Sequence, residues 1–326
     1  VATHHPSSKV VLFEKSGKLL SKVKISGGGR CNVTNACFTP SSLAKNYPRG
    51  GKQLKKAFAE FQAKDTVDWF TSRGVPLKTE PDGRMFPQSD SSQSIIDCLM
   101  KEAHNAGVEI KMQAPVQSIV WYNGEFQLNS ARFDRVIVAT GGSPKAEGFD
   151  WLRTLGHTVS TPVPSLFTFK IPNEPVKKLM GLVVKDALVR IQGTKLAHQG
   201  PVLITHWGLS GPGILKISAW GARELAERDY RFDISVNWLP DADAAGVVAE
   251  QRRSEAKRQL SSRSPFASIP KRLWLRLLAA AEVPVAATWS QPSMTPTTQL
   301  LSQLTTPIFA VNAKSTNKHE FVPCGR

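Results

Sequence analysis

Three consecutive glycines, Gly27 to Gly29 in the stretch SGGGRCNVTN, constrain this 326-residue chain more than any other feature. Glycine alone takes left-handed backbone at no steric cost, so a run of three marks a tight turn that brings backbone amides close to something else. Arg30 then adds a fixed positive charge with forked donors, suited to a pyrophosphate. Asn32 and Asn35 can lock such a loop through side-chain-to-backbone bonds. Flexible surface turns seldom carry Arg, Cys and two Asn in such close succession, so the bare backbone is expected to touch a ligand.

The segments on either side point the same way. KVVLFEK (Lys9 to Lys15) predicts a short, buried parallel strand ending in Glu14, and in a doubly wound fold a carboxylate there accepts hydrogen bonds from ribose hydroxyls. Further on, Val136 to Ala139 predicts a second buried strand that runs into Thr140-Gly141-Gly142, another close approach of backbone. Between them, apolar residues at helical spacing (Leu54, Phe58, Phe61, Val67, Phe70) predict a helix over 52–73, and a second helix covers 94–106 with Gly107 as its stop. PDGRMFP carries hairpin chemistry, and the stretch from Val108 to Ser130 predicts successive short strands with a turn at Asn123-Gly124.

After Pro164 the pattern changes. SLFTFKI, VVKDALVRIQG, PVLITHWG and YRFDISVNWLP predict an antiparallel β unit, interrupted by a helix in LSGPGILKISAWGARELAE whose early glycines let it start against neighbouring backbone. Helices are expected over 241–260, 270–281 and 297–304, followed by a strand-like return.

Composition excludes several classes. Hydrophobic residues make up 41% and mean hydropathy is −0.22, which suits a folded globular chain. No apolar run nears the length of a membrane span and the opening VATHHPSSKV lacks a secretory pattern, so a cytoplasmic protein is expected. Four scattered cysteines offer neither a disulfide framework nor paired zinc spacings, so no metal is expected. Lys plus Arg number 42 against 26 Asp plus Glu, a formal +16 that attracts polyanions such as RNA. The basic residues are spread along the chain, which favours a solvated basic face over a nucleic-acid site.

LFEK, KVKISGGGRCNVTN, VIVATGG, SLFTFKI, THWGLSGPGIL and KSTNKHEFV together resemble the YhiN/BaiN-like family of NAD(P)/FAD-dependent oxidoreductases, flavoproteins of the two-dinucleotide-binding superfamily. The resemblance runs over nearly the whole chain. It implies an α/β fold: a Rossmann-like FAD-binding domain over 1–164, an inserted β-rich domain over 165–240, a small helical block over 241–305 and a return strand segment over 306–326. It implies FAD as cofactor and NAD(P)H as electron donor. It places Glu14 on the adenosine ribose with Lys15 at the same corner. Lys24, Ser26, Gly27, Gly28, Gly29, Arg30, Cys31, Asn32 and Asn35 would line the pyrophosphate and flavin side. Val116, in the APVQSI strand, would meet the adenine through its backbone, and Ala139, Thr140, Gly141 and Gly142 would pass close to the dinucleotide.

Against the family pattern, the chain opens one element late, without the G-x-G-x-x-G turn, and stops before the Gly-rich segment that passes under the flavin. A truncated member without flavin, or a basic RNA-binding protein on a flavoprotein fold, are therefore the alternatives. Cys31 and Cys37 are spaced one residue away from the redox pair of related reductases, so no disulfide is expected, and Cys31 reads as a small residue packed by the cofactor. His206 is either a proton donor or a hydrogen-bonded strand end. Neither a substrate nor a catalytic residue is named by these residues.

Overall fold

The computed structural model describes residues 1–143, 146–315 and 322–324. It is a mixed α/β chain that divides into two compact units, the first made of Val1–Ala139 and Trp151–Thr158, the second of Thr140–Asp150 and the chain from Val159 onward.

In the first unit, the strand that ends before Glu14 covers Val11–Phe13 and pairs in parallel with Glu109–Lys111, Leu12 facing Ile110. It is less buried than a run of β-branched residues predicts, since Leu12 is exposed. A helix over Ser21–Gly29 follows, but Ser26, Gly27 and Gly28 leave helical geometry, so its last turn is the glycine loop itself. Thr34–Asn35, Leu77–Thr79 and Arg84–Pro87 form a three-stranded antiparallel sheet whose tip is the expected Pro-Asp-Gly hairpin. The Asn123-Gly124 turn joins Ile119–Tyr122 to Glu125–Leu128, with φ of 51° and 86° at the two turn residues, the backbone such two-residue hairpins require.

Three expectations are corrected. The helix over 52–73 is two, Gly51–Glu60 and Ala63–Thr71, because Phe61 is extended and the Asp65 carboxylate accepts the Gln62 N–H at 2.8 Å, starting a fresh helix. Val116 lies in irregular chain between the Glu109–Lys111 and Ile119–Tyr122 strands, where Pro115 removes a ladder donor. Val136 to Ala139 form no strand: Ile137 is 76% exposed, and no described strand supplies a ladder partner.

The second unit is built on a seven-stranded sheet among the described residues. Its order is Ile308–Val311, Phe232–Asn237, Val183–Ile191, Ala197–Ile204, Gly208–Ser210, Thr168–Lys170 and Ala313–Ser315, with every pair antiparallel. Val184, Ala187, Val189 and Ile191 are all buried although the first step is three residues, because an irregularity between Val184 and Ala187 resets the two-residue alternation. The helix Pro212–Trp220 starts hard against the Ala197–Ile204 strand. A Cβ on Gly213 would stand 3.1 Å from the carbonyl oxygens of Gly200 and Pro201, and one on Gly208 would stand 2.3 Å from that of Phe169. The glycines of GLSGPG are thus explained by packing. Helices Ala244–Ser254, Lys271–Ala280 and Met294–Thr305 add a second apolar layer, in which Trp274 stacks on Trp289 at 6.1 Å and donates its indole N–H to the Leu260 carbonyl at 2.8 Å.

Candidate functional site

The glycine loop has two sides of different chemistry. Gly27, Gly28 and Gly29 all take positive φ (56°, 72° and 86°), Arg30 returns to right-handed backbone and Cys31 is left-handed again at 62°. The Ser26 carbonyl accepts both the Arg30 and the Cys31 N–H, which closes the turn. On the inner side, a Cβ on Gly27 would stand 2.9 Å from both the Asn32 nitrogen and a Phe86 ring carbon. On the outer side, a Cβ on Gly28 or Gly29 would meet nothing within 4 Å. These two glycines leave a bare strip of backbone, left-handed and uncovered, that an anion or a planar ring can approach without displacing a side chain.

Cys31 belongs to the inner side. It is 7% exposed and packs in an apolar cluster with Phe70, Ile95 and Cys98, so its side chain is core. Cys31, Cys37 and Cys98 are free thiols. Burial, with Glu102 nearby, pushes the Cys98 thiol up, which keeps it protonated and inert.

Arg30 is engaged by the chain itself. Its Nη1 donates to Glu80 Oε1 at 2.6 Å and lies 3.6 Å from Asp90, while the guanidinium stacks 4.0 Å from the centre of the Phe86 ring. The hydrogen bond to Glu80 is the main reason its pKa is raised. Glu80 also meets Arg84 at 3.3 Å, Arg84 bonds Asp82 at 2.7 Å, and Asp90 bonds Lys78. Three cations thus face three carboxylates, and Arg30 ties the loop to the hairpin. Glu80, Asp90 and Phe86 were not singled out in the sequence; partners fifty and more residues away leave no local signal.

Around the loop, Lys24 Nζ donates to Gln93 at 2.8 Å and its carbonyl accepts the Ser92 hydroxyl at 2.8 Å. Ser26 Oγ donates to the Val23 carbonyl. With its amide nitrogen turned toward the acceptors around it, Asn32 donates to the carbonyls of Thr34 (2.9 Å) and Met85 (3.2 Å). Asn35 pairs in register with Arg84, and its amide abuts Gly83. Asn32 thus makes side-chain-to-backbone bonds of the expected kind, whereas Asn35 is held by strand pairing.

Glu14 forms a second corner of the same unit. Its Oε1 accepts the Ser16 N–H at 2.7 Å, which, with the Ser16 hydroxyl second, holds its carboxyl below the usual carboxylate range. Its carbonyl accepts the Ala114 N–H at 2.9 Å. That bond brings the Val116 segment, whose Gln117 N–H is held by Asn129, to the Glu14 corner. Lys15 is exposed beside it. Ala139 closes the first unit, while Thr140, Gly141 and Gly142 open the second, all exposed, with Gly141 at φ 75° and open space on its Cβ side.

His206 sits in the turn between Ala197–Ile204 and Gly208–Ser210, exposed, with its ring 4.5 Å from Trp207 and no hydrogen bond to a described residue. The strand-end alternative, which required such a bond, does not describe it. In KSTNKHEFV, Thr316 to Phe321 lie outside the described residues. Among the described residues no cluster of His, Cys, Asp or Glu could hold a metal ion, and no helix is long and apolar enough to cross a membrane.

The chemistry of these residues is compatible with a dinucleotide. A carboxylate beside an irregular backbone segment suits a ribose-adenine end, and a side-chain-free strip at a positive-φ loop suits a pyrophosphate-ring end. Residues 1–297 match the family model described as HI0933-like protein Rossmann domain. Similar curated proteins include a "Ribosomal RNA dihydrouridine synthase" of Escherichia coli, 28% identical over 85% of this chain and 69% of the relative. A "3-dehydro-bile acid delta(4,6)-reductase" of Clostridium scindens is 27% identical over 85% and 70%. A second "Ribosomal RNA dihydrouridine synthase", of Haemophilus influenzae, is 26% identical over 78% and 64%.

Proposed function

This chain belongs to the HI0933-like Rossmann domain family of flavoprotein oxidoreductases, and from that premise we propose that it is an FAD-dependent reductase that takes electrons from NAD(P)H and delivers them to an activated carbon–carbon double bond. The observation that carries the reading is the bare strip at Gly28 and Gly29, opposite a face on which Gly27 is locked by packing. The reaction class comes from the relatives, since a dihydrouridine synthase and a delta(4,6)-reductase are both named for saturating such bonds.

When bound, FAD supplies two-electron chemistry, and the protein's part is to bind, orient and polarise it. In this reading the Glu14 carboxylate accepts from the ribose hydroxyls, with the Val116 backbone alongside. The strip from Gly28 to Arg30 lies against the pyrophosphate and ring. Arg30 is a positioning residue: its charge is balanced by Glu80 and Asp90, so it fixes the loop rather than gripping phosphate. The test is an Arg30→Gln variant followed by flavin titration and potentiometry. Weaker FAD binding with an unshifted reduction potential supports positioning; a shifted potential at unchanged affinity assigns Arg30 to the flavin instead.

A second reading concerns the substrate. Two relatives are named for ribosomal RNA, and a net +16 supports RNA as the molecule that carries the reducible base. RNA then enters as substrate of the redox chemistry, not in place of it. Filter binding should retain ribosomal RNA at low salt and lose it steeply as salt rises; no retention at low salt removes this reading.

A further inference from the structure

The two helices that follow the glycine loop in the first unit carry positive charge that the chain does not answer. From Phe38 to Phe61 there are five cations, Lys45, Arg49, Lys52, Lys55 and Lys56, against one carboxylate, Glu60. The helices Pro40–Ala44 and Gly51–Glu60 fold this stretch back on itself. A Cβ on Gly51 would stand 3.1 Å from the Ala44 carbonyl oxygen, so the end of one helix meets the start of the other and sets Lys45 and Lys52 on adjoining backbone. Lys52, Lys55 and Lys56 share one face of the second helix, with Lys52 and Lys56 about 6 Å apart along its axis.

Lys45, Lys52, Lys55 and Lys56 are all exposed, and none pairs with a carboxylate among the described residues. By contrast Lys64, Arg73 and Lys9 of the same unit are answered by Asp68 at 2.7 Å, Glu102 at 2.6 Å and Glu109 at 3.1 Å. The apolar side of the Gly51–Glu60 helix is already used: Leu54 and Phe58 are half-buried, and the Tyr47 ring stands 5.5 Å from that of Phe58. A helix so covered has no free apolar stripe to sink into a bilayer. What stays open is four ammonium groups together with the exposed Tyr47 and Phe61 rings, and a single-stranded nucleic acid offers phosphates to the first and base faces to the second. Pro40 starts the pair five residues after Asn35, so chain length alone keeps that start within about 18 Å of the end of the glycine-loop segment.

We propose that this helix pair is the docking surface for a single-stranded segment of an RNA substrate, with phosphates on Lys45, Lys52, Lys55 and Lys56 and a base stacked on Tyr47. The proposal rests on the reading of RNA as substrate given above and names the face that holds it. No catalytic step is assigned to these residues.

The experiment follows the anisotropy of a labelled single-stranded uridine oligonucleotide with the full chain over a salt series. Replacing Lys52, Lys55 and Lys56 together by Gln should flatten the dependence of log affinity on log salt by about 2, three lost phosphate contacts at about 0.7 each. Replacing Lys185, Arg190 and Lys195 by Gln, three exposed cations of the second unit, should leave that slope unchanged. Tyr47→Ala should weaken binding about fivefold or more at an unchanged slope. FAD titration of the lysine variant should match that of the native chain. No binding by the native chain at low salt removes the RNA reading and this proposal with it. Binding whose slope falls equally in the two triple variants, or is unmoved in the lysine variant, overturns the docking surface alone. Sedimentation with phosphatidylserine vesicles that the lysine variant loses, at an unmoved RNA slope, assigns the face to a membrane and overturns it too. The exposed lysines exchange for another good helix former, so the salt series decides even if Tyr47→Ala fails to fold.

Discussion

At the scale of residues, neighbours in one loop have opposite duties. Gly27→Ala forces a Cβ against the Asn32 backbone and the Phe86 ring at φ 56°, and should cost about 2–4 kcal/mol of stability. Gly28→Ala meets open space and should cost only the left-handed backbone, about 1–2 kcal/mol, while obstructing the bare strip. Urea denaturation checks the first difference and FAD titration the second; equal stability losses would contradict the two-sided loop. Glu14→Gln should weaken FAD binding about tenfold to a hundredfold without unfolding the unit, read by flavin titration, and unchanged affinity would remove Glu14 from the site. His198, on the Ala197–Ile204 strand, is held below its ordinary value by burial and secondarily by Lys216. In the window between that lowered value and about 6.5 the unfolded chain binds more protons, so stability rises with pH across it and falls on acidification. Urea midpoints at about pH 5 and about pH 7 should therefore differ more in the native chain than in His198→Gln.

At the scale of elements, what was legible in the sequence was whatever depends on near neighbours. The Asn123-Gly124 hairpin, the Gly107 helix stop and the strand ending in Glu14 follow from local backbone preference and short-range pattern, and all are present. The glycine start of the Pro212–Trp220 helix was legible for the same reason, and Gly213→Ala should cost about 1–3 kcal/mol by pushing that helix off the Gly200 and Pro201 carbonyls. An unchanged denaturation midpoint would mean the contact yields without cost. The split of the 52–73 helix was not legible, because Phe61 keeps the apolar spacing while its backbone turns extended. Nor was Val136 to Ala139, since a β-branched run forms a strand only where another strand offers hydrogen bonds. In the candidate site, the loop's shape was legible from three glycines, whereas Arg30's partners Glu80 and Asp90 and the Glu14–Ala114 bond are tertiary facts.

At the scale of the whole molecule, two compact units carry different kinds of evidence. The first holds Glu14, the glycine loop and the Val116 segment, each braced by its own hydrogen bonds. The second holds the seven-stranded sheet and the helices packed on it. The chain belongs to a family of flavoprotein oxidoreductases, and the loop and the Glu14 corner are proposed to hold FAD. The most direct measurement is an absorbance titration of the purified chain with FAD, following the flavin bands near about 370 and about 450 nm. A saturable perturbation of those bands is expected, with flavin that stays with the protein through gel filtration. Flavin spectra identical to those of free FAD at every protein concentration, with all the flavin eluting apart, would contradict it.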